Sequence, residues 1–248
     1  MRVRFKFSGV DGKDVELPLN YNEIVQGFIY SLLNKKIAKK IHDKGFIDKK
    51  SKKGLKLFTF SRLIPEKKPI INDEKIIFES PFMLTVSSIY CEFIQSLVEN
   101  IVKSEFLRFA SNEVITTSIS VEALPHYKEV VRVKTLSPIV VYSTLMTYDN
   151  RKKTYYYNPF EKDFSTLVLK NLNRKSSVWF KTEEDTNTSY IKPINVKERI
   201  LKYKGTIIKG WDGIFELKLS PNLFTLAFET GLGSKNSIGF GCIDILDR

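Results

Sequence analysis

Cysteine, histidine and long apolar runs are scarce in this chain of 248 residues. Its only cysteines, Cys91 and Cys242, lie far apart and form no disulfide framework of the kind that staples small secreted folds. Both are expected as buried thiols. The only histidines are His42 and His126, and neither stands at ligand spacing from another histidine or a cysteine, so no metal site and no cofactor is predicted. Acidic pairs such as Asp73-Glu74 and Glu183-Glu184 read as surface turns. No stretch approaches the ~20 consecutive apolar residues of a membrane span. The opening Met-Arg-Val-Arg-Phe-Lys-Phe alternates instead of building an apolar signal core, so a cytoplasmic protein with no membrane partner is expected. Positive charge is what the chain has in excess. Its 40 Lys and Arg against 28 Asp and Glu leave +12, which favours an anionic partner such as nucleic acid or an acidic surface.

The length fits one large domain or two of about 120 residues, and the hydrophobic pattern favours two. Val3, Phe5 and Phe7 alternate with Arg2, Arg4 and Lys6, the signature of a strand with one core face and one basic face. Asn20 with Glu23 reads as a capping box for a helix carrying Ile24, Phe28 and Leu32 and ending near Asn34. A short amphipathic turn with Ile37 and Ile41 follows. Beyond Gly45 and a lysine-rich loop, strands are predicted over 55–60, 75–78 and 82–86, a helix over 90–102 and extended chain over 106–123. The order is βαββαβ. Near Pro125 the pattern restarts, with Val131, Val133 and Thr135 alternating with Arg132 and Lys134. A helix over 159–173, strands over 188–218, a helix over 221–230 and a closing strand over 242–246 complete a second copy. The predicted class is α+β, two tandem ferredoxin-like domains at 1–122 and 127–248.

Three constellations can carry chemistry. From Asn34 to Lys56 there are ten lysines against Asp43 and Asp48. Such a run is commonly a solvated loop, but His42 sits inside it beside the apolar stripe, and imidazole is the side chain suited to proton transfer near neutrality. The second is Gly231-Leu-Gly-Ser-Lys-Asn-Ser-Ile-Gly-Phe-Gly241, whose glycines allow close backbone approach to a phosphate. It follows a helix and precedes a strand, so it is not a dinucleotide fingerprint, and it lacks the P-loop ending. A tight helix-to-strand turn accounts for it equally well. The third, His126 in the interdomain connection, reads as a packing or hinge residue.

Taken together, Leu17-Pro-Leu-Asn-Tyr21, Gln26-Gly-Phe-Ile-Tyr30, Ile41-His-Asp-Lys-Gly45, Lys56-Leu-Phe-Thr-Phe-Ser61, Leu136-Ser-Pro-Ile139 and the loop ending Gly239-Phe-Gly241 resemble the CRISPR-associated endoribonucleases of the RAMP superfamily, the Cas6 family. The resemblance runs nearly end to end and implies cleavage of CRISPR repeat RNA, without a metal, to make guide RNAs. It implies a catalytic Tyr30, His42 and Lys56, with Lys49, Lys50, Lys52 or Lys53 as alternative sources of the cation. Those four lysines and Gly231, Gly233, Ser234, Lys235, Asn236, Ser237 and Gly239 become the expected RNA contacts. Internal cleavage of RNA needs the 2′-hydroxyl deprotonated, the phosphorane charge stabilised and the 5′-oxygen protonated, tasks suited to an imidazole, a phenol and an ammonium. Products with 2′,3′-cyclic phosphate and 5′-hydroxyl ends are expected. Twelve residues separate Tyr30 from His42, about 120° on an unbroken helix, so a break near Asn34 is required. Subunits of a CRISPR effector complex and a second copy of the chain are compatible further partners. Two other readings stand beside this one: a non-catalytic RAMP-type RNA-binding subunit of an effector complex, and a basic structural protein of a ribosome-like particle.

Overall fold

Alternation along the first strand organises the amino-terminal half. In a computed structural model describing residues 1–146 and 148–246, β1 (Arg2–Gly9) buries Val3, Phe5 and Phe7 completely. Each such side chain contributes roughly 1.5–3 kcal/mol by leaving water. Helix α1 (Asn22–Ser31) follows, then a short α2 (Lys35–Lys39), strands β2 (Phe58–Phe60) and β3 (Phe82–Ser88), α3 (Cys91–Val102), and strands β4 (Leu107–Phe109) and β5 (Asn112–Glu122). The sheet runs β4-β5-β1-β3-β2, antiparallel throughout, with Ile64–Pro65 also pairing with β3. Apart from the added β4, this is the strand order of a ferredoxin-like βαββαβ unit, with α1 and α3 as its crossovers.

The carboxy-terminal half repeats the plan. Strand β6 (Val130–Thr135), helix α4 (Lys162–Trp179), strands β7 (Tyr190–Tyr203) and β8 (Thr206–Lys218), helix α5 (Pro221–Thr230) and strand β9 (Ile243–Ile245) form a sheet ordered β7-β8-β6-β9. The two cores meet, since Leu57 and Ile89 from the first half are buried in the core of the second.

Several local expectations are corrected. Helix α1 begins at Asn22 with no side-chain cap, because the Asn20 carboxamide oxygen instead accepts the Lys202 amide at 2.8 Å. The strand expected over 55–60 is two pieces: Gly54–Leu55 pairs with Phe46–Ile47, and only 58–60 joins the sheet. Lys75–Phe78 belongs to a separate small sheet with Val15–Pro18 and Ile70–Ile71. Helix α4 continues six residues past 173, and Cys91 is exposed. The second face of β1 is not a free basic surface. Arg2 is fully buried, its guanidinium carbon 3.5 Å above the centre of the Phe228 ring and one of its N–H groups donating to the Phe228 carbonyl at 2.7 Å. Arg4 bridges Glu122 and Asp244. Arginines on that face hold the two halves together, Arg2 through a desolvated cation–π contact worth about 2 kcal/mol.

Candidate active site

Helix α1 links the two constellations that the sequence keeps far apart. Asn22, Gln26 and Tyr30 are spaced by four and share one face of the helix. The Asn22 amide donates to the Ile238 carbonyl at 2.9 Å, and the Gln26 amide donates to the Ser237 carbonyl at 2.8 Å. Thr59 of β2 donates its hydroxyl to the Phe240 carbonyl at 2.9 Å. The glycine-rich loop is thereby seated on the amino-terminal half, one helical turn from Tyr30.

That seating explains the glycines. Gly239 has φ +86°, and a Cβ there would lie 2.5 Å from the Phe60 ring. At Gly233, with φ +68°, a Cβ would lie 2.5 Å from the Val140 carbonyl oxygen. Close approach within the protein is what these two positions require. Asn236 is buried, whereas Ser234, Lys235 and Ser237 are partly exposed. Lys235, in the left-handed region at φ 63°, projects its ammonium over the Tyr142 ring at 4.9 Å.

The required break after α1 is present. Leu32 closes the helix, its carbonyl accepting from the Asn100 side chain at 2.9 Å, and the Asn34 amide donates to the Ser96 hydroxyl at 2.8 Å, so α3 holds the turn. Helix α2 then leads into a wider turn, Lys40–Lys44, that carries His42 back. The Tyr30 and His42 ring centres lie 6.0 Å apart, edge to face, and the Lys56 ammonium lies 5.7 Å from the Tyr30 ring centre. Tyr30, His42 and Lys56 therefore converge. The His42 imidazole is 72% exposed, with Nδ1 2.9 Å from Oδ1 of Asp43. Burial pushes Tyr30 up to about 12, helped by Tyr203, and its hydroxyl has no hydrogen-bond partner among the described residues. Partial burial lowers Lys56, opposed by Asp43, and no carboxylate pairs with it among the described residues. The site therefore presents a phenol that stays protonated at neutral pH, a half-buried lysine and an accessible imidazole.

The four loop lysines occupy the hairpin that precedes Lys56. Lys49, Lys50, Lys52 and Lys53 are exposed on the tip of the hairpin formed by Phe46–Ile47 and Gly54–Leu55, and Lys50 is ion-paired with Glu183. Asp48 anchors the tip. Its carboxylate accepts from the Ser51 hydroxyl and from Nε of Arg174 on α4 at 2.7 Å, and these bonds hold it down at about 2. Sequence reasoning missed Arg174, and although it expected strands over 188–218 it missed that their hairpin reaches the site, where the Tyr203 hydroxyl donates to the Gln26 carboxamide oxygen beside Tyr30. The spacing of Asn22, Gln26 and Tyr30 was the available signal for the α1 face; nothing local marks the hairpin. His126 is exposed in the connection between the halves. Among the described residues no cluster of three or more His, Cys, Asp or Glu can hold a metal, and no helix is long and apolar enough to cross a membrane.

Comparison with known proteins gives a consistent family. Residues 16–120 match the model of the CRISPR-associated protein Cas6 N-terminal domain, and residues 121–245 match that of the Cas6 C-terminal domain. The chain is 29% identical over 253 aligned positions to a Pyrococcus furiosus protein described as CRISPR-associated endoribonuclease-like protein Cas6, covering 100% of both. It is 26% identical to the CRISPR-associated endoribonuclease Cas6 1 of Methanocaldococcus jannaschii, over 92% of this chain and 86% of that one. A solved structure of a Cas6-related gene product from Pyrococcus furiosus superposes with a TM-score of 0.85 at 26% identity, covering 100% of this chain and 99% of that one.

Proposed function

This chain belongs to the Cas6 family of CRISPR-associated proteins, and from that premise we propose that it is a metal-independent endoribonuclease cutting CRISPR repeat RNA within precursor transcripts. The observation that carries the reading is the convergence of Tyr30, His42 and Lys56, twelve and fourteen residues apart in succession, at one edge of the glycine-rich loop. The relative from Methanocaldococcus jannaschii is named an endoribonuclease, which supports it.

The chemistry follows from the protonation states. His42 is the group able to take the 2′-hydroxyl proton near neutrality as that oxygen attacks the adjacent phosphorus. Tyr30, held protonated by burial, acts as a donor rather than a base. Lys56 faces the growing charge on the phosphorane oxygens, the place where a metal would otherwise act. The bond to the 5′-oxygen then breaks, the leaving oxygen takes the Tyr30 phenol proton, the proton held by His42 restores the phenol through solvent, and a 2′,3′-cyclic phosphate and a 5′-hydroxyl remain. Ser234, Lys235 and Ser237, with the exposed hairpin lysines, supply contacts to the RNA backbone.

A second reading has its own support. The full-length Pyrococcus relative is described as endoribonuclease-like, which suits a non-catalytic RNA-binding subunit keeping the same loop and basic surface. Incubating the purified chain with repeat RNA in excess chelator and mapping the product ends decides between the two. Cyclic phosphate and 5′-hydroxyl ends are expected; RNA bound tightly and left intact would favour the subunit.

A further inference from the structure

One buried charge is left without a role by this chemistry. Lys175 of α4 is 4% exposed, and its ammonium donates to the carbonyls of Thr230 at 3.2 Å and Gly231 at 2.7 Å and to Oδ1 of Asn236 at 2.9 Å. The Asn236 amide nitrogen in turn donates to the carbonyls of Leu232 at 2.9 Å and Phe240 at 3.0 Å. One ammonium and one amide thus tie the start of the glycine-rich loop to its end. The fit is close, since a Cβ on Gly231 or Gly241 would come within 2.8 or 2.7 Å of that amide nitrogen.

Among the described residues no acid pairs with this ammonium. Helix α4 packs against α5, β7 and Phe46–Ile47. The one acid of α5, Glu229, is paired with the Met1 ammonium, Phe46–Ile47 carries no charge, and Glu198 of β7 pairs with Lys209. The other charged side chains of β7 (Lys192, Lys197, Arg199, Lys202) and of α4 (Lys162, Asp163, Lys170, Arg174), like Lys235 in the loop, form no ion pair with Lys175, and burial is what lowers it. A buried ammonium without a counter-charge is costly. The carbonyls at the end of α5, where the helix dipole is negative, offset part of that cost. An amide side chain could also donate to these oxygens without the cost of burying a charge, so the charge itself calls for an explanation.

We infer that Lys175 is the positioning residue of the RNA-binding loop: it holds residues 231–241 in the shape that receives RNA, and the bound phosphodiester backbone is its missing counter-charge. This rests on the reading of the loop as an RNA contact given under Proposed function. Burial draws Lys175 down to about 7 in the free protein. A phosphate nearby favours the charged form and raises that value, so binding near pH 8 draws a proton onto the protein. Affinity then falls as pH rises above 7. Stability of the free protein moves the other way. The unfolded lysine keeps its ordinary value of 10.5, the unfolded state binds more protons between about 7 and 10.5, and stability rises across that window. A lysine with only a structural role produces the second trend without the first.

The test uses the full chain carrying His42→Ala, so that the RNA is expected to stay intact. Affinity for repeat RNA is measured from pH 6.5 to 9 at constant ionic strength, with proton uptake read by calorimetry in buffers of different ionisation heat. Affinity is expected to fall by up to about tenfold per pH unit, the limit for one proton, with uptake near pH 8. Lys175→Met should weaken binding at pH 6.5 and flatten the profile. Lys175→Arg should restore affinity while also flattening it. Flat affinity and no proton uptake with the unsubstituted Lys175 overturn the inference even if Lys175→Met fails to fold. Lys235→Ala and Ser237→Ala separate the two claims: if they bind repeat RNA normally the loop is not the contact, whereas if they weaken binding and the Lys175 variants do not, only the role of Lys175 fails.

Discussion

In the proposed reaction the His42 imidazole moves a proton and adds little to binding that phosphate contacts would dominate. His42→Ala is therefore expected to slow single-turnover cleavage by roughly 100- to 10,000-fold while leaving affinity nearly unchanged. His126→Ala, in the exposed connection, should leave the rate unchanged. Tyr30→Phe keeps the ring that packs edge-on against Phe58 at 6.1 Å and removes only the unpartnered hydroxyl, so slower cleavage with unchanged thermal unfolding is expected. Lys56→Ala should slow the chemical step as well. Normal rates in both variants, measured with enzyme in excess, would move the donor and the cation elsewhere.

At the scale of elements, the lysine hairpin and the glycine loop are proposed to bring different physics to RNA. Neutralising Lys49, Lys52 and Lys53 should weaken binding of many RNAs alike and make the salt dependence shallower, because exposed point charges act through counterion release. Adding Lys50, already engaged by Glu183, should change little more; an unchanged salt slope would make the hairpin a solvated tip. Gly239→Val meets the Phe60 ring and a left-handed backbone, and is expected to cost roughly 1–3 kcal/mol in denaturant unfolding. Where it remains folded it should harm repeat RNA more than random RNA. The strands and helices of both βαββαβ units were legible because each has a buried face with a clear period, as in Val3-Phe5-Phe7 and Val131-Val133. Long-range polar contacts left no such trace. Asn20 looks like a cap yet serves the β7–β8 hairpin, and Arg174-Lys175-Ser176-Ser177 looks like a frayed helix end yet holds Asp48 on one side and the glycine loop on another. The Tyr30, His42 and Lys56 grouping was legible through motif resemblance and through the break at Asn34, whereas Gln26 and Tyr203 beside them needed the assembled halves.

Across the whole molecule the two halves share a junction instead of a flexible linker. Arg2 against Phe228, Arg4 with Asp244, Arg62 with Asp212 and the glycine loop on α1 all cross it. The candidate site sits on one half and the loop proposed to receive RNA on the other, so cleavage is expected to depend on the halves keeping their relation. Arg2→Met should keep the apolar contact with Phe228 and lose the carbonyl bond, lowering the unfolding midpoint with a smaller effect on the rate of molecules still folded. The central claim is that the substrate carries its own nucleophile while Tyr30, His42 and Lys56 move protons and charge. Its most direct test is single-turnover cleavage, in excess chelator, of repeat RNA with one 2′-deoxyribose on the 5′ side of the scissile phosphate. The prediction is full cleavage of the all-ribose RNA and none at the substituted position, with binding retained; cutting at the deoxy position, or activity that disappears with chelator and returns with magnesium, would contradict it.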